Sequence, residues 1–332
     1  MMDWEMKNSA REEKYRKNDS LEKSLADINS LLFGLEKDAV KEFKKNKYPI
    51  IFILGNPRSG STLLLQWLAS LGCFGYPTNI ISRFFKAPYI GAKIQKVLAE
   101  FDFKGEIFDP SYEKKFYSDL GKTKGPLAPH EFWYFWRRFF QYNEIQKLDD
   151  SELKQVDTDL LLSELAALES EFDKPLVFKG MMFNWNVEFL NAIFDDVLFI
   201  NLKRNYLYNM DDIFYARKNF FGNTDKWYSF KPPEYNILKN KNPEAQVAGQ
   251  VVYTDRYIRE QFYKIPKEKY LNIEYEELCT NPGKVYNLIL EKFSSQGYKL
   301  PDSYIGVEDF VIDDSLKVID KNKANIELGK IL

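Results

Sequence analysis

The stretch Ile50-Ile51-Phe52-Ile53-Leu54-Gly55-Asn56-Pro57-Arg58-Ser59-Gly60-Ser61-Thr62-Leu63-Leu64-Leu65 constrains this chain more than any other. An apolar run stops at a glycine, a short loop of small residues follows, and an apolar pattern resumes at helical spacing. That is the order strand, loop, helix. Every position from Ile50 to Leu54 is apolar, so the strand is buried on both faces, as in a parallel sheet covered by helices. Gly55 and Gly60 let the backbone turn tightly and approach a ligand closely. The first turn of the following helix then aims unpaired N–H groups and the positive end of its dipole at one place, which suits an anion.

The spacing of Gly55, Gly60, Ser61 and Thr62 fits the nucleotide-binding frame G-x-x-x-x-G-K-[ST] except at one position. Ser61 stands where a magnesium-nucleotide enzyme places lysine, and the nearest cation is Arg58, inside the loop. That lysine normally reaches the outer phosphates, so a kinase lacking it is handicapped. The loop suits a phosphate-like group held by N–H groups, hydroxyls and one guanidinium. The plainer alternative is a strand–turn–helix with no ligand.

Asn56-Pro57-Arg58-Ser59-Gly60-Ser61-Thr62-Leu63-Leu64 resembles the loop of sulfotransferases that use 3′-phosphoadenosine-5′-phosphosulfate (PAPS). Weaker echoes run from about Tyr48 to Pro282. The resemblance implies that Arg58, Ser59, Gly60, Ser61, Thr62 and Leu63 hold the 5′-phosphosulfate. It implies a soluble enzyme moving a sulfuryl group to a hydroxyl, on a glycan or a glycosylated small molecule, with 3′-phosphoadenosine-5′-phosphate (PAP) as product and no metal.

The rest of the chain supplies a fold for that loop. At 332 residues it can bury a full core, and 45% hydrophobic with 29% charged content describes a globular protein. A net charge of −2 argues against a nucleic-acid or anionic-membrane surface. The two cysteines, Cys73 and Cys279, have no metal-ligand spacing and build no disulfide framework, so a reducing, cytoplasmic setting is expected. No segment reads as a membrane span, and the start Met1-Met2-Asp3-Trp4-Glu5 is no signal peptide. Residues 1–47 read as a helical extension in which Leu21, Leu25, Ile28, Leu32 and Leu35 form a seam. The seam packs on its own domain or pairs two copies in a homodimer. Residues 48–300 read as the α/β domain and 301–332 as a tail. A functional lid or a surface excursion fits Asp102 to Pro129, which has no period. Helices are predicted from about His130 to Leu148 and from Asp157 to Phe172. Strands at Leu176–Phe178, Val197–Leu202 and Tyr270–Ile273 alternate with helices. The expected fold is α/β, a P-loop NTPase-like three-layer arrangement with a central parallel sheet flanked by helices.

Ligands sit at the carboxyl ends of parallel strands, which brings Arg58, Lys179 and Arg204 towards one crevice. Arg204 follows a buried strand. The resemblance makes it the ligand of the 3′-phosphate, assisted by a serine eight residues later. This chain has Asp212 there, a repulsive neighbour for phosphate unless a cation such as Lys203 or Arg217 intervenes. The alternative is a structural pair of Arg204 with Asp211 or Asp212. Sulfuryl transfer needs a base, and Glu131 is the first candidate, with His130, the only histidine, the second. Lys179 is placed to neutralise charge on the departing oxygen. Among Trp133, Tyr134, Trp136, Phe139 and Phe140 most are core and one face is open to a sugar ring. Trp227 is a candidate lid residue. Two other readings stand beside the sulfotransferase: a small-metabolite kinase, against which Ser61 speaks, and a non-catalytic binding protein, for which Asp212 speaks.

Overall fold

A computed structural model describes residues 8–108, 117–312 and 315–332. The chain start and part of the unpatterned 102–129 stretch lie outside the described residues. In chain order the first elements are α1 (Asp19–Ala39), β1 (Ile50–Gly55), α2 (Ser61–Ser70), α3 (Pro88–Gln95), β2 (Tyr117–Asp119), β3 (Lys122–Lys124) and α4 (Trp133–Phe139). Then come α5 (Asp150–Leu153), α6 (Thr158–Phe172), β4 (Val177–Lys179), α7 (Val187–Ile193), β5 (Val197–Lys203) and α8 (Tyr206–Phe221). The last are α9 (Tyr235–Leu238), α10 (Pro243–Phe262), β6 (Tyr270–Glu274), α11 (Tyr275–Thr280), α12 (Pro282–Ser295) and α13 (Lys321–Gly329).

Four strands form a parallel sheet in the order β4-β1-β5-β6, with Phe52 opposite Phe178 on one side and Phe199 on the other. The period of two in β1 divides two cores. Ile50, Phe52 and Leu54 face an aromatic layer that holds Phe132, Phe135, Trp136, Phe140, Phe178 and Phe183. Ile51 and Ile53 face Leu64 and Leu68 of α2 with Val285 and Ile289 of α12. The all-apolar strand is therefore sandwiched between helical layers, and its carboxyl end meets the loop.

α1 packs on its own domain. Leu25 is buried, Asn29 donates to Arg83 O at 2.7 Å, and Glu36 accepts from Tyr89 N and Ile90 N at 2.8 and 3.0 Å. The predicted seam is split: Leu25 points inward, whereas Leu21, Ile28 and Leu35 are exposed. β2 and β3 form an antiparallel hairpin whose turn residues Leu120 and Gly121 both take positive φ, as the tightest hairpin turns require. The predicted helix from His130 to Leu148 is shorter at both ends. It begins at Trp133, after Phe132 in the left-handed region at φ 59°, and ends at Phe139. Beyond it Phe140, Tyr142 and Leu148 sink singly into the core, which an irregular chain allows and a continuing helix face does not. The tail is part of the body: α13 packs on α10 and α8, burying Ala324 and Leu328 against Met210, Val247 and Val251.

Candidate active site

The Gly55–Leu63 loop is shaped by exclusion. A Cβ on Gly55 would lie 2.5 Å from Leu202 O, and one on Gly60 would lie 2.4 Å from the Tyr275 ring. Both glycines and Arg58 have positive φ, so the turn is held in a conformation that side chains resist. Three asparagines hold it there. Asn184 accepts from Gly55 N at 3.2 Å and donates to Gly55 O at 2.8 Å. Asn209 donates to Pro57 O at 2.7 Å, and Asn56 donates to Val251 O at 3.0 Å. Gly60 is the N-cap of α2 and no side chain among the described residues caps that helix, which leaves its first-turn N–H groups able to receive an anion. Arg58 Nε and Ser59 Oγ are buried without a hydrogen-bond partner among the described residues. The Ser61 hydroxyl is turned into the core against Met181 Sδ at 3.2 Å, which leaves its N–H as its contribution to the loop.

Beside the loop stands a corner of charged side chains. Lys179, the last residue of β4, donates to Thr62 Oγ1 at 2.9 Å and pairs with Glu131 Oε1. The Trp133 indole N–H donates to Glu131 Oε2. Burial alone would raise the Glu131 carboxyl, but the Lys179 ammonium and the indole override it and hold it below its ordinary value. The carboxylate is thus ionised, yet its side chain keeps 28% of its surface open. Glu131 lies on the irregular approach to α4, so Lys179 rather than a helix dipole sets its charge. His130 differs. Its Nδ1 accepts the Phe132 N–H at 2.9 Å, so the lone pair is used and the proton sits on Nε2. Burial pushes its pKa down to about 4, which leaves a neutral ring. The hairpin turn closes over this corner: a Cβ on Gly121 would lie 3.5 Å from Thr62 Oγ1 and 3.7 Å from both Glu131 Oε1 and Lys179 Nζ.

On the other side of the loop, Arg204 follows β5. It donates to Arg58 O at 3.4 Å, lies 4.7 Å over the Tyr275 ring and pairs with Asp212 Oδ2 at 2.5 Å. Arg204 therefore touches the loop at the Arg58 carbonyl. The expected compensating cations are corrected here. Lys203 pairs with Glu274 at 2.8 Å, and Arg217 is buried away, donating to Thr224 O and Gln246 Oε1 at 3.0 Å each. The cation against Asp212 is Lys317, at 3.2 Å, from the tail. Asp211 fixes that tail by accepting the N–H groups of Lys317, Val318 and Ile319, all at 2.8 Å. Next to Lys317 opens a cavity of about 810 Å³, with Lys14, Tyr215, Lys218 and Asn219 on its walls.

A model of the sulfotransferase family matches residues 49–296, from the strand before the loop to the end of α12. The chain belongs to the sulfotransferase family. Sulfotransferase STF1 from Mycobacterium tuberculosis H37Rv is 12% identical over 84% of this chain and 73% of its own, with a TM-score of 0.50. Sulfotransferase STF9 from Mycobacterium avium is 14% identical over 86% and 74%, with a TM-score of 0.49. A sulfotransferase from Alicyclobacillus acidocaldarius is 12% identical over 85% and 94%, with a TM-score of 0.39. The likeness to STF1 is one of fold. Comparison with curated protein sequences finds no match.

In this sulfotransferase the loop sits between an ionised carboxylate with its ammonium and an arginine with its carboxylate. Such a layout can hold a doubly charged donor, take a proton and neutralise a leaving oxygen. Among the described residues no group of three His, Cys, Asp or Glu is placed to hold a metal, and no helix is long and apolar enough to cross a membrane. Several contributors had no local signal. Asn184, Asn209 and Lys317 reach the site from more than a hundred residues along the chain. Trp133, expected as core or a sugar platform, stacks on Phe230 at 5.0 Å and holds Glu131. Trp227, expected as a lid residue, is buried and donates to Phe230 O at 3.1 Å, within its own loop.

Proposed function

We propose that the sulfotransferase transfers a sulfuryl group from PAPS to a hydroxyl of a glycan or glycosylated small molecule. The reading rests on one observation: Glu131, Lys179 and Thr62 meet at the mouth of a loop with unpaired first-turn N–H groups. PAPS, when bound, supplies an activated sulfuryl group on a phosphate leaving group. The Arg58–Leu63 loop and the Arg58 guanidinium would grip its 5′-phosphosulfate. Arg204, backed by Lys317, would take its 3′-phosphate, with Asp212 as the shared anchor of both cations. Glu131 takes the proton of the acceptor hydroxyl as that oxygen attacks in line. Lys179, already on Thr62, moves its charge from the Glu131 carboxylate, now neutral, to the oxygen losing its sulfur bond. His130, neutral and with Nδ1 engaged, orients the Glu131 segment.

Labelled sulfate transfer from PAPS across a panel of glycans tests the reaction. Thermal shift separates the alternatives: stabilisation by PAP is expected, stabilisation only by Mg-ATP would favour a kinase, and no response to either a binding protein. Pairing of two copies through α1 is supported by Leu31 and Leu35, 75% and 62% exposed. Light scattering of Leu31→Glu beside the wild type tests it.

A further inference from the structure

The indole that grips Glu131 is itself held by a strained turn, to which the transfer reaction gives no task. Trp133 opens α4 and reaches back two residues to Glu131 Oε2. Its side chain is half-buried, so its own helix does not fix the ring. Phe230 does: the two rings stack at 5.0 Å with an interplanar angle of 12°. Phe230 is 6% exposed and tilts against Trp185 at 6.4 Å, so it is anchored on its far side as well.

Phe230 ends the turn Tyr228-Ser229-Phe230, in which Ser229 has φ 67°. A residue other than glycine stays in that region only where its surroundings over-determine it, and such positions cluster at functional sites. Here the surroundings are Gln250 of α10, which is 0% exposed. Its Nε2 donates to Tyr228 O at 2.9 Å and to Phe230 O at 2.7 Å, the carbonyls of the residues on either side of Ser229. Its Oε1 is buried with no partner among the described residues, so this amide serves through its donors. Phe230 O accepts also from Trp227 Nε1 at 3.1 Å, and Lys231 N donates to Gln146 Oε1 at 2.5 Å. The turn is thus pinned from α10, from its own loop and from the segment after α4.

We infer that this turn is a positioning device for the proposed base: Gln250 fixes the turn, Phe230 fixes the Trp133 indole, and the indole fixes the Glu131 carboxylate. The inference rests on the sulfuryl-transfer reading, because that reading makes Glu131 the base. Phe230 and Gln250 are positioning residues and act only through Trp133. Lys179 takes one carboxylate oxygen and the indole the other. Each oxygen keeps a further lone pair, so the carboxylate still accepts a proton while its plane is clamped from both sides. Without the indole the group is free to turn about Lys179, and one of the bonds that favour its charged form is gone. The other ionisable groups that act on Glu131 are His130 beside it, Lys179 of β4, Lys122 of the hairpin and Tyr228 of the turn itself.

The test reads the indole directly, by NMR of the full chain carrying nitrogen-15 tryptophan, with neither donor nor acceptor present. The Trp133 N–H signal is the one lost in Trp133→Phe. Its pH midpoint belongs to Glu131 if it vanishes in Glu131→Gln, which separates it from titration of His130. In the wild type the signal is expected at low field, as for a donor to a carboxylate, with a midpoint below the ordinary carboxylate value. Phe230→Leu and Gln250→Met are each expected to reduce the low-field displacement and to move the midpoint to higher pH. Phe293→Leu, a truncation of similar kind in the core on the other face of the sheet, is expected to move neither. If Phe230→Leu does not fold, Gln250→Met carries the test, since it keeps the side chain's length and removes both donors. A Trp133 signal that neither variant shifts, or that Phe293→Leu shifts as much, overturns the positioning role. The measurement involves no transfer, so that failure leaves the donor reading standing, and the PAP thermal shift tests that reading by itself.

Discussion

On one side of the loop Lys179 meets Glu131, and on the other Arg204 meets Asp212. Both cations stand at the end of a parallel strand, and both are nearly covered, at 10% and 8% exposure. Their carboxylates differ. Glu131 keeps 28% of its side-chain surface and is shared with an indole and an ammonium, whereas Asp212 keeps 10% and is shared between two cations. The first corner is neutral in sum and holds a reachable lone pair. The second shares one hidden carboxylate between two cations. The same pairing of residue types yields a reachable carboxylate in one place and a hidden one, shared between two cations, in the other. What decides is how much of the carboxylate reaches solvent and how many cations share it.

The comparison breaks first at Glu131. Glu131→Gln is expected to lower the transfer rate by about 10² to 10⁴ while PAP stabilisation in a thermal shift stays as it was. A rate within a few-fold of the wild type would remove the base from this corner. Lys179→Ala is expected to cost about 10² to 10³ in rate and to carry a second signature in the pH profile. With Lys179 present the Glu131 carboxyl is held low, so the base is lost only as pH falls below the ordinary carboxylate range. Without Lys179 the burial that raises the carboxyl acts with less opposition, so the acid limb of the profile moves to higher pH. An acid limb that stays in place would mean that some other group carries the proton.

At the second corner the effects are on affinity. Lys317→Ala is expected to weaken PAP binding about tenfold, the worth of one charge-assisted contact. Asp212→Ser, by removing a negative charge beside the phosphate, is expected to tighten it several-fold. If Lys317→Ala leaves PAP affinity unchanged, the tail holds Asp212 without serving the nucleotide.

Much of this was legible in the sequence because it is contiguous. Ile50 to Leu65 reports its own strand, turn and helix, and the rule that ligands sit at strand ends brought Lys179 and Arg204 to the same edge. Glu131 and Lys179 were found as residues, but their pairing was not, since 48 positions separate them. The length of α4 was misjudged because an aromatic run has no period to mark an end, and nothing in Phe132 announces a left-handed backbone. Lys317 was invisible for a different reason. The tail has little hydrophobic pattern of its own, and Asp211, more than a hundred residues earlier, fixes its course.

Glu36 supplies the limiting case, a buried carboxylate for which no hydrogen-bonded cation is present. It accepts the N–H groups of Tyr89 and Ile90 in the first turn of α3, and burial raises its pKa to about 7 despite those bonds. The folded protein therefore holds a proton that the unfolded chain has already released. Its contribution to stability is complete below the unfolded value and is lost as pH rises through about 7. Relative to Glu36→Gln, the wild type should lose on the order of 2 kcal/mol between about pH 5 and about pH 8, read from denaturant unfolding at both ends. Titrations elsewhere cancel in that difference. Curves that run parallel across the range would show that backbone N–H groups alone suffice to keep a buried carboxylate ionised. The low pKa of Glu131 would then not need Lys179, and the contrast between the two corners would have to be rebuilt on hydrogen bonds instead of charge.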